Sequence, residues 1–484
     1  MEGDGSGGAS GGMVVRSSVV DSLKGLGLAS GGLRVDKEYL KRRITMPKYL
    51  RTAVAEAIRT RTPVAAAKEA LRCSGMATGE EQDVPHAPVV VFVNSKSGGR
   101  NGEDLKRRLQ ELMGPEQVID LSIVKPHEFV NYGLGCLEKL AELGDKCARG
   151  TRDKLRIMVA GGDGTVGWVL GSLGELFDQR EPVPPTAVIP LGTGNDLSRS
   201  FGWGGSFPFA WRSAVKRSLQ KAIIGPICRL DSWHVTVFTP AGETVELPHS
   251  LTDLGECTLS EDVVIEGEMP EKITGFEGVF YNYFSIGMDA KVAYGFHHLR
   301  NTKPFLARGP VSNKLIYSGY SCTQGWFCTP CMGSPSLRVL KNILRIHIKK
   351  VNCSEWEQIS VPPNVRSIVA LNLHNYGSGR NPWGQPKPKY LEKRGFVEAH
   401  ADDGLLEIFG LKQGWHATFV MVELINAKHI AQAAAIRFEI RGGQCKRAYM
   451  QMDGEPWKQG ISNQSSTLVE ITRVPHQSLM ISGE

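Results

Sequence analysis

Leu155–Thr165 reads LRIMVAGGDGT, an apolar run that stops abruptly in glycines set around a carboxylate. A buried strand that empties into such a loop brings backbone close to something small and charged. Glycine allows positive φ and has no Cβ to hold a ligand away, so successive N–H groups can converge on an anion. Asp163 sits among those donors, placed to hold a metal ion or a reacting proton. Taken alone, the stretch is also readable as a tight strand–helix turn.

Two more strands end the same way. Thr186–Asp196, TAVIPLGTGND, is an apolar run into a glycine-bracketed loop with Asp196 at its end. Pro88–Arg100, PVVVFVNSKSGGR, runs into Ser, Lys, Gly-Gly and Arg. In open parallel sheets, ligands bind in the crevice outside the carboxyl ends of the strands. Strands that all deliver small residues, hydroxyls and charges there describe a site.

Missing motifs narrow its chemistry. No G-x-x-x-x-G-K-[ST] is present, which excludes a P-loop nucleoside triphosphatase. The His-Arg-Asp and Asp-Phe-Gly pieces of a protein kinase are absent. A dinucleotide fingerprint fails because Gly192-Thr193-Gly194 is followed by Asn195, Asp196 and Leu197. Loops of this kind suit a nucleoside triphosphate, with Asp163 and Asp196 close to a bound Mg²⁺. Phosphoryl transfer needs mainly positioning and charge neutralisation, which they supply.

Between residues 88 and 225 strands and helices alternate. Strands are expected at Pro88–Val93, Val118–Val124, Leu155–Ala160 and Thr186–Pro190, with helices at Glu103–Met113, Glu128–Lys146 and Val166–Phe177. Alternation of this kind predicts an α/β domain, a parallel sheet with helices on both faces. Beyond residue 226 the runs are shorter, as in His234–Phe238, Asn342–Ile348 and Ser466–Ile471, with frequent Gly and Pro. That texture predicts a mainly antiparallel second domain, with the site in the cleft between the two.

A chain of 484 residues exceeds what one core usually supports. Hydrophobic content of 41% and charge of 22% are those of a globular protein. The net charge of +7 is modest, far below that of a nucleic-acid coat. No run reaches the ~18 apolar residues of a spanning helix. The N-terminal MEGDGSGGASGG lacks a secretory pattern, Glu2 precludes myristoylation, and the C-terminal SGE carries no prenylation box. A cytoplasmic protein with reversible peripheral membrane association is expected.

The 10 cysteines are then read as reduced thiols, mostly small core residues. Cys322, Cys328 and Cys331 could ligate zinc, but a matching second pair is not evident. Residues 1–33 are Gly/Ser-rich and expected to be disordered. Leu33–Pro63 concentrates nine Lys/Arg against three Asp/Glu, close to the whole charge excess. Leu50, Val54 and Ile58 recur there every fourth residue, so a helix is amphipathic with a basic face. It either packs on the neighbouring domain, lies on an anionic bilayer, or meets a regulatory protein partner at residues 33–63. Thr239–Gly275 is an acidic insertion, read as a solvated loop.

Together, NSKSGG at Asn94–Gly99, GGDGT at Gly161–Thr165 and PLGTGNDLSR at Pro190–Arg199 resemble the catalytic domain of diacylglycerol kinases. Tyr281–Gly295 (YNYFSIGMDAKVAYG), Leu371–Gly384, Ala401–Ile408 (ADDGLLEI) and Met452–Trp457 (MDGEPW) resemble the family's accessory domain, in the same order. The resemblance covers roughly residues 88–475 and is to the short plant type, without the cysteine-rich lipid-binding modules or calcium-binding motifs of other members. It implies a Rossmann-like nucleotide domain of the lipid kinase and NAD kinase type, then a β-sandwich. The organisation expected is a flexible extension at 1–87, a catalytic domain at 88–225, an accessory domain at 226–475 and a tail at 476–484.

The resemblance also implies an activity: phosphorylation of the primary hydroxyl of diacylglycerol by ATP with Mg²⁺, in lipid second-messenger signalling. Asp453 is then expected as general base and Asp163 at the Mg²⁺–ATP site, or the two exchanged, with Glu455 alongside. Nucleotide contacts are expected from Asn94, Ser95, Lys96, Ser97, Gly98, Gly99 and Arg100, from Gly161, Gly162, Gly164 and Thr165, and from Gly192, Thr193, Gly194 and Asn195. Asp163 and Asp196 serve the metal, and Asp402 or Asp403 fits a second, structural metal site or a solvated turn. Ser95 stands where the family often has proline, which costs the loop some rigidity. The rivals are a sphingoid-base or ceramide kinase and a non-catalytic membrane-binding protein on the same fold.

Overall fold

Val89–Val93 is buried at every position, as a strand must be when helices cover both faces of its sheet. In the computed structural model, which describes residues 35–74, 83–97, 101–178, 180–207, 211–240, 247–257, 272–303, 316, 340–412, 426–442 and 445–484, this strand is β1. With β2 (Val118–Asp120), β3 (Arg156–Gly161) and β4 (Thr186–Pro190) it forms a parallel array in the order β2-β1-β3-β4. The helices include α1 (Lys37–Ile44), α2 (Lys48–Thr60), α3 (Pro63–Ser74), α4 (Asn101–Met113), α5 (Gly135–Glu142), α6 (Lys146–Lys154), α7 (Asp163–Gly174), α8 (Asp196–Ser200), α9 (Trp211–Ile224) and α10 (Met288–Thr302). Side chains of β1 alternate between two cores, Val89, Val91 and Val93 with Leu40, Leu105 and Leu219, and Val90 and Phe92 with Leu50, Leu137 and Val169.

Local chemistry moves several boundaries. The strand expected over Val118–Val124 stops at Asp120, whose Oδ1 takes the Ser122 N–H (2.9 Å) and hydroxyl (2.7 Å) and turns the chain. The helix expected over Glu128–Lys146 breaks at Gly144, at φ +98°, and α6 restarts where Asp145 Oδ1 accepts from the Ala148 N–H (2.9 Å). Helix α7 starts inside the GGDGT motif, at Asp163, and not after it.

The basic N-terminal segment folds onto this domain. Leu40, Ile44, Leu50, Ala53, Val54 and Ala57 are all buried in its cores. Two of its arginines pair with the domain, Arg51 with Glu116 and Arg61 with Glu128, each at 2.9 Å. The apolar stripe that would lie on a bilayer or a partner protein is therefore occupied by the protein's own core.

The chain leaves the first sheet through β5 (Ile227–Leu230). It then builds β6 (Trp233–Pro240), β7 (Thr252–Cys257), β8 (Ile273–Phe280), β9 (Tyr283–Gly287), β10 (Leu344–Lys349), β11 (Glu357–Ile359), β12 (Val365–Leu371), β13 (Leu406–Lys412), β14 (Lys428–Ala433), β15 (Ala435–Ile440), β16 (Arg447–Met452), β17 (Glu455–Gly460) and β18 (Thr467–Arg473). These form antiparallel sheets of seven strands, β11-β10-β15-β18-β6-β8-β7, and six, β14-β13-β12-β9-β16-β17. Trp233, Val235 and Phe280 of one meet Phe284, Ile286 and Trp457 of the other in a single core, a β-sandwich. The acidic insertion is not all loop, since β7 lies within it as an exposed edge strand paired to β8. Nor are residues 476–484 a simple tail. β19 (Ser478–Ile481) returns to the first sheet between β4 and β5, parallel to one and antiparallel to the other.

Buried Cys136, Cys147 and Cys445 are core thiols, while Cys322, Cys328 and Cys331 lie outside the described residues, as do residues 1–33. Among the described residues no helix is long and apolar enough to cross a membrane.

Candidate active site

Strand order reverses between β1 and β3, and the motif loops emerge there side by side. Val93 pairs with Ala160 and Gly161 with Pro190, so the three loops start level. Asn94 Nδ2 donates to Thr165 Oγ1 (3.1 Å), tying the first loop to the second. The second and third touch backbone to backbone: a Cβ on Gly192 would stand 2.6 Å from Gly162 Cα. Gly164 faces open space, with nothing within 4 Å of an added Cβ. Helix α7 begins there with no side-chain cap; the Thr165 N–H is taken by the Gly162 carbonyl (2.9 Å), so the amides ahead of it are the ones turned toward an anion.

Several expected nucleotide contacts turn out to build the loops. Asn195, at φ +56° and buried, accepts from the Gly192 N–H (3.0 Å) and donates to the carbonyls of Gly192 (2.8 Å) and Gly205 (2.9 Å). Ser95 Oγ donates to Asp120 Oδ1 (3.0 Å). Lys96 and Thr193 are exposed and Ser97 half-buried at the lip, while Gly98, Gly99 and Arg100 lie outside the described residues.

Asp163, Asp196 and Asp453 converge, but their partners differ. Asp196 is 5% exposed, and its two oxygens accept from the N–H groups of Ser378 (3.1 Å) and Gly379 (2.6 Å). Burial raises its pKa against the pull of those amides and of Arg199 and Arg380. Asp453, at φ +48° in the β16–β17 turn, accepts from three consecutive backbone N–H groups, Tyr281 (2.8 Å), Asn282 (2.8 Å) and Tyr283 (2.9 Å). Burial still pushes it up to about 6. These two carboxylates act as struts pinning loops of the second unit.

Asp163 is held by the third loop, through the Asp196 and Leu197 amides, and by Asn282. Its Oδ2 accepts from the Asp196 N–H (2.8 Å) and from Asn282 Nδ2 (3.2 Å). Burial, then the charges of Asp196 and Asp453, push its carboxyl up to about 8. It stands at the start of α7 beside the open space at Gly164, as Asp196 stands at the start of α8.

Other sequence-predicted residues fall elsewhere. Glu455 Oε2 accepts from the Ser250 N–H (3.1 Å) next to the Asp453 turn. Asp402 is exposed, and Asp403 takes the amides of Leu405 (2.9 Å) and His400 (3.2 Å), which is a turn beside the linker residue Asp231. Among the described residues no group of three His, Cys, Asp or Glu side chains is placed to hold a metal.

Sequence reasoning missed Asp120 and Asn282. Burial opposes the Asp120 charge, but the Lys106 ammonium at 2.8 Å and Ser122 outweigh it and hold the pKa down at about 2. It thereby fixes the loop that starts at Asn94. Its signal was a carboxylate at the carboxyl end of a strand, as at Asp163. Asn282 was quoted inside a motif without a role, yet it bonds Asp163 through its side chain and Asp453 through its backbone.

The diacylglycerol kinase catalytic domain matches residues 88–227, and the diacylglycerol kinase accessory domain matches residues 279–456. The chain belongs to the diacylglycerol kinase family. In Arabidopsis thaliana, diacylglycerol kinase 7 is 64% identical over 466 residues, 96% of this chain and 94% of its own. Diacylglycerol kinase 3 of the same plant is 63% identical over 473 residues, 97% of this chain and 96% of its own. Diacylglycerol kinase 4 is 60% identical over 479 residues, 98% and 97% of the two chains. In this diacylglycerol kinase family member the Asp163–Asn282 bond joins the catalytic match to the accessory match, so neither alone contains the whole site.

Proposed function

We propose that the chain transfers the γ-phosphoryl group of ATP to the primary hydroxyl of 1,2-diacylglycerol, giving phosphatidic acid and ADP. Asp163 carries the reading, as a proton acceptor at the floor of a glycine-walled crevice. The acceptor hydroxyl oxygen forms the new bond to the γ-phosphorus, the bridging bond to the β-phosphate breaks, and the hydroxyl proton passes to the Asp163 carboxylate. A base whose pKa lies near the working pH is the most effective kind, worth about 10²–10⁴ in rate. The sequence favoured Asp453 in this role. Its three amide bonds make it the weaker choice and suit it to holding Tyr281–Tyr283 in place.

The crevice suits a nucleotide in two respects: bare glycine walls and uncapped first-turn amides at α7. Mg²⁺ also suits the residues present. It is commonly bound through one or two carboxylates plus substrate phosphates, not by an all-protein cage. The crowded Asp163–Asp196 pair, whose pKa values are both raised, supplies the negative charge that a cation would offset. Asp196 would be its protein neighbour, since Asp163 is reserved for the proton. When bound, Mg²⁺ neutralises the charge that builds on the phosphates. The acceptor is a membrane lipid, so we read the protein as a cytoplasmic enzyme that meets the bilayer reversibly.

The test is transfer of labelled γ-phosphate from ATP with Mg²⁺ to dioleoylglycerol, sphingosine and ceramide in parallel mixed micelles. Product from dioleoylglycerol alone is expected. Product from a sphingoid lipid would keep the mechanism and overturn the substrate, and none from any lipid would overturn both.

A further inference from the structure

Asp289, in the first turn of α10, is a 3% exposed carboxylate. Its Oδ2 accepts from side chains that arrive on separate elements: Ser285 Oγ of β9 (2.6 Å), Gln451 Nε2 of β16 (2.8 Å) and the hydroxyl of Tyr376, beyond the end of β12 (2.9 Å). Its N–H donates to Ser367 Oγ (3.0 Å), which seats the helix start on β12. Gln451 Nε2 also reaches Ser285 Oγ (2.9 Å), so the carboxylate is held from two strands at once. A hydroxyl or amide buried without an acceptor is costly, and these residues therefore fix one another in place.

Tyr376 carries this network to the site. Its N–H and carbonyl exchange bonds with Arg380 (2.8 and 3.0 Å), closing a loop over Gly377, Ser378 and Gly379. All three have positive φ, at +58°, +79° and +92°. Serine rarely adopts such a backbone, so the loop depends on its anchors. At the tip, the Ser378 and Gly379 N–H groups take the two oxygens of Asp196. On one shoulder, Asn375 Nδ2 donates to Ser200 Oγ (2.9 Å). Both of these anchors belong to α8, so they let loop and helix shift together. Underneath, the buried Tyr376 ring meets Tyr283 and Phe409 edge-on, with centroids at 4.8 and 6.1 Å, and its hydroxyl ends on Asp289. That bond registers the loop, and with it Asp196, to the sandwich.

We propose that Asp289 is a positioning residue for phosphoryl transfer: through the Tyr376 hydroxyl it sets the two amides that orient Asp196 toward Mg²⁺–ATP. The inference rests on the reading of Asp196 as the protein neighbour of Mg²⁺, and it adds Asp289 and Tyr376 to the residues on which nucleotide binding depends.

Its test compares amide hydrogen exchange and calorimetric ATP binding in the wild type, Tyr376→Phe and Asp289→Ala. Tyr376→Phe removes one hydroxyl and leaves Asp289 its other bonds, so it decides alone if Asp289→Ala does not fold. In each variant the segment carrying Ser378 and Gly379 should exchange about tenfold faster, with protection in β12 and β13 unchanged. Affinity for ATP with Mg²⁺ should fall by about tenfold, while affinity for ATP in EDTA stays put. A general loosening of the fold would instead raise exchange throughout and move both affinities alike. The double variant should lose no more than Asp289→Ala alone, because the hydroxyl acts through the carboxylate. Equal exchange at Ser378 and Gly379, or an ATP affinity that does not fall selectively with Mg²⁺, overturns the proposal. Should the wild type itself bind ATP no tighter with Mg²⁺ than without, the metal reading of Asp196 fails and the exchange arm decides. Faster exchange in Tyr376→Phe then upholds the positioning of Asp196, and equal exchange overturns it.

Discussion

Burial and the neighbouring acids push the Asp163 carboxyl up to about 8, so its proposed role as proton acceptor has a pH signature. The rate of lipid phosphorylation should climb as pH rises from 6 and level off above about 8. A flat profile over that range would remove Asp163 as the titrating base. Stability runs the other way. The folded-state pKa lies above the unfolded value of 3.8, so this group's contribution is complete below pH 3.8 and is lost as pH rises through about 8. Asp163→Asn should therefore melt higher than wild type at pH 8.5, by roughly 2–4 °C, with no gain at pH 4. Equal melting at both pH values would show that the acids do not strain one another. Asp163 was legible because glycines bracket it on both sides. Asp120, at the end of a strand without glycines around it, and Asn282, in the β8–β9 turn, were not, because only the folded chain brings them to the motif loops.

Among elements, the contact of the second and third loops constrains the crevice directly. A Cβ on Gly192 meets Gly162 Cα at 2.6 Å and Asn195 Oδ1 at 2.8 Å, so Gly192→Ala must part the loops. KM for ATP should rise by about tenfold or more while KM for the lipid stays put, since misplacement of about 1 Å is costly in such sites. Unchanged ATP kinetics would mean that the crevice is not the nucleotide site. The parallel strands and their order of loops could be read from apolar runs that end in glycine. The break at Gly144 and the early start of α7 could not, because a positive φ and a helix cap are settled by tertiary packing.

For the whole molecule, the catalytic sheet is completed by the chain's last strand. β19 is four residues long, too short to show a periodicity, which is why the sequence read residues 476–484 as a tail. Removing residues 477–484 takes the partner of both β4 and β5 and should abolish a cooperative melting transition. A truncated chain that melts like wild type would contradict the sheet order. The N-terminal helices are likewise structural. Leu50→Ala in α2 should cost ~2–4 kcal/mol and leave binding to anionic vesicles unchanged. Weaker vesicle binding at unchanged stability would restore the membrane role that the basic segment offered in the sequence.

The central claim is that Asp163 does chemistry while Asp453 holds the site together. The most direct measurement is the initial rate of phosphatidate formation from dioleoylglycerol by Asp163→Asn and Asp453→Asn, each beside its melting temperature. Asp163→Asn should lose about 10³-fold in rate without melting lower. Asp453→Asn keeps an oxygen for the Asn282 and Tyr283 N–H groups but turns an amide donor toward that of Tyr281, and should lose activity together with at least ~2 kcal/mol of stability. An active Asp163→Asn beside a stable, inactive Asp453→Asn would give the base to Asp453 and contradict the account.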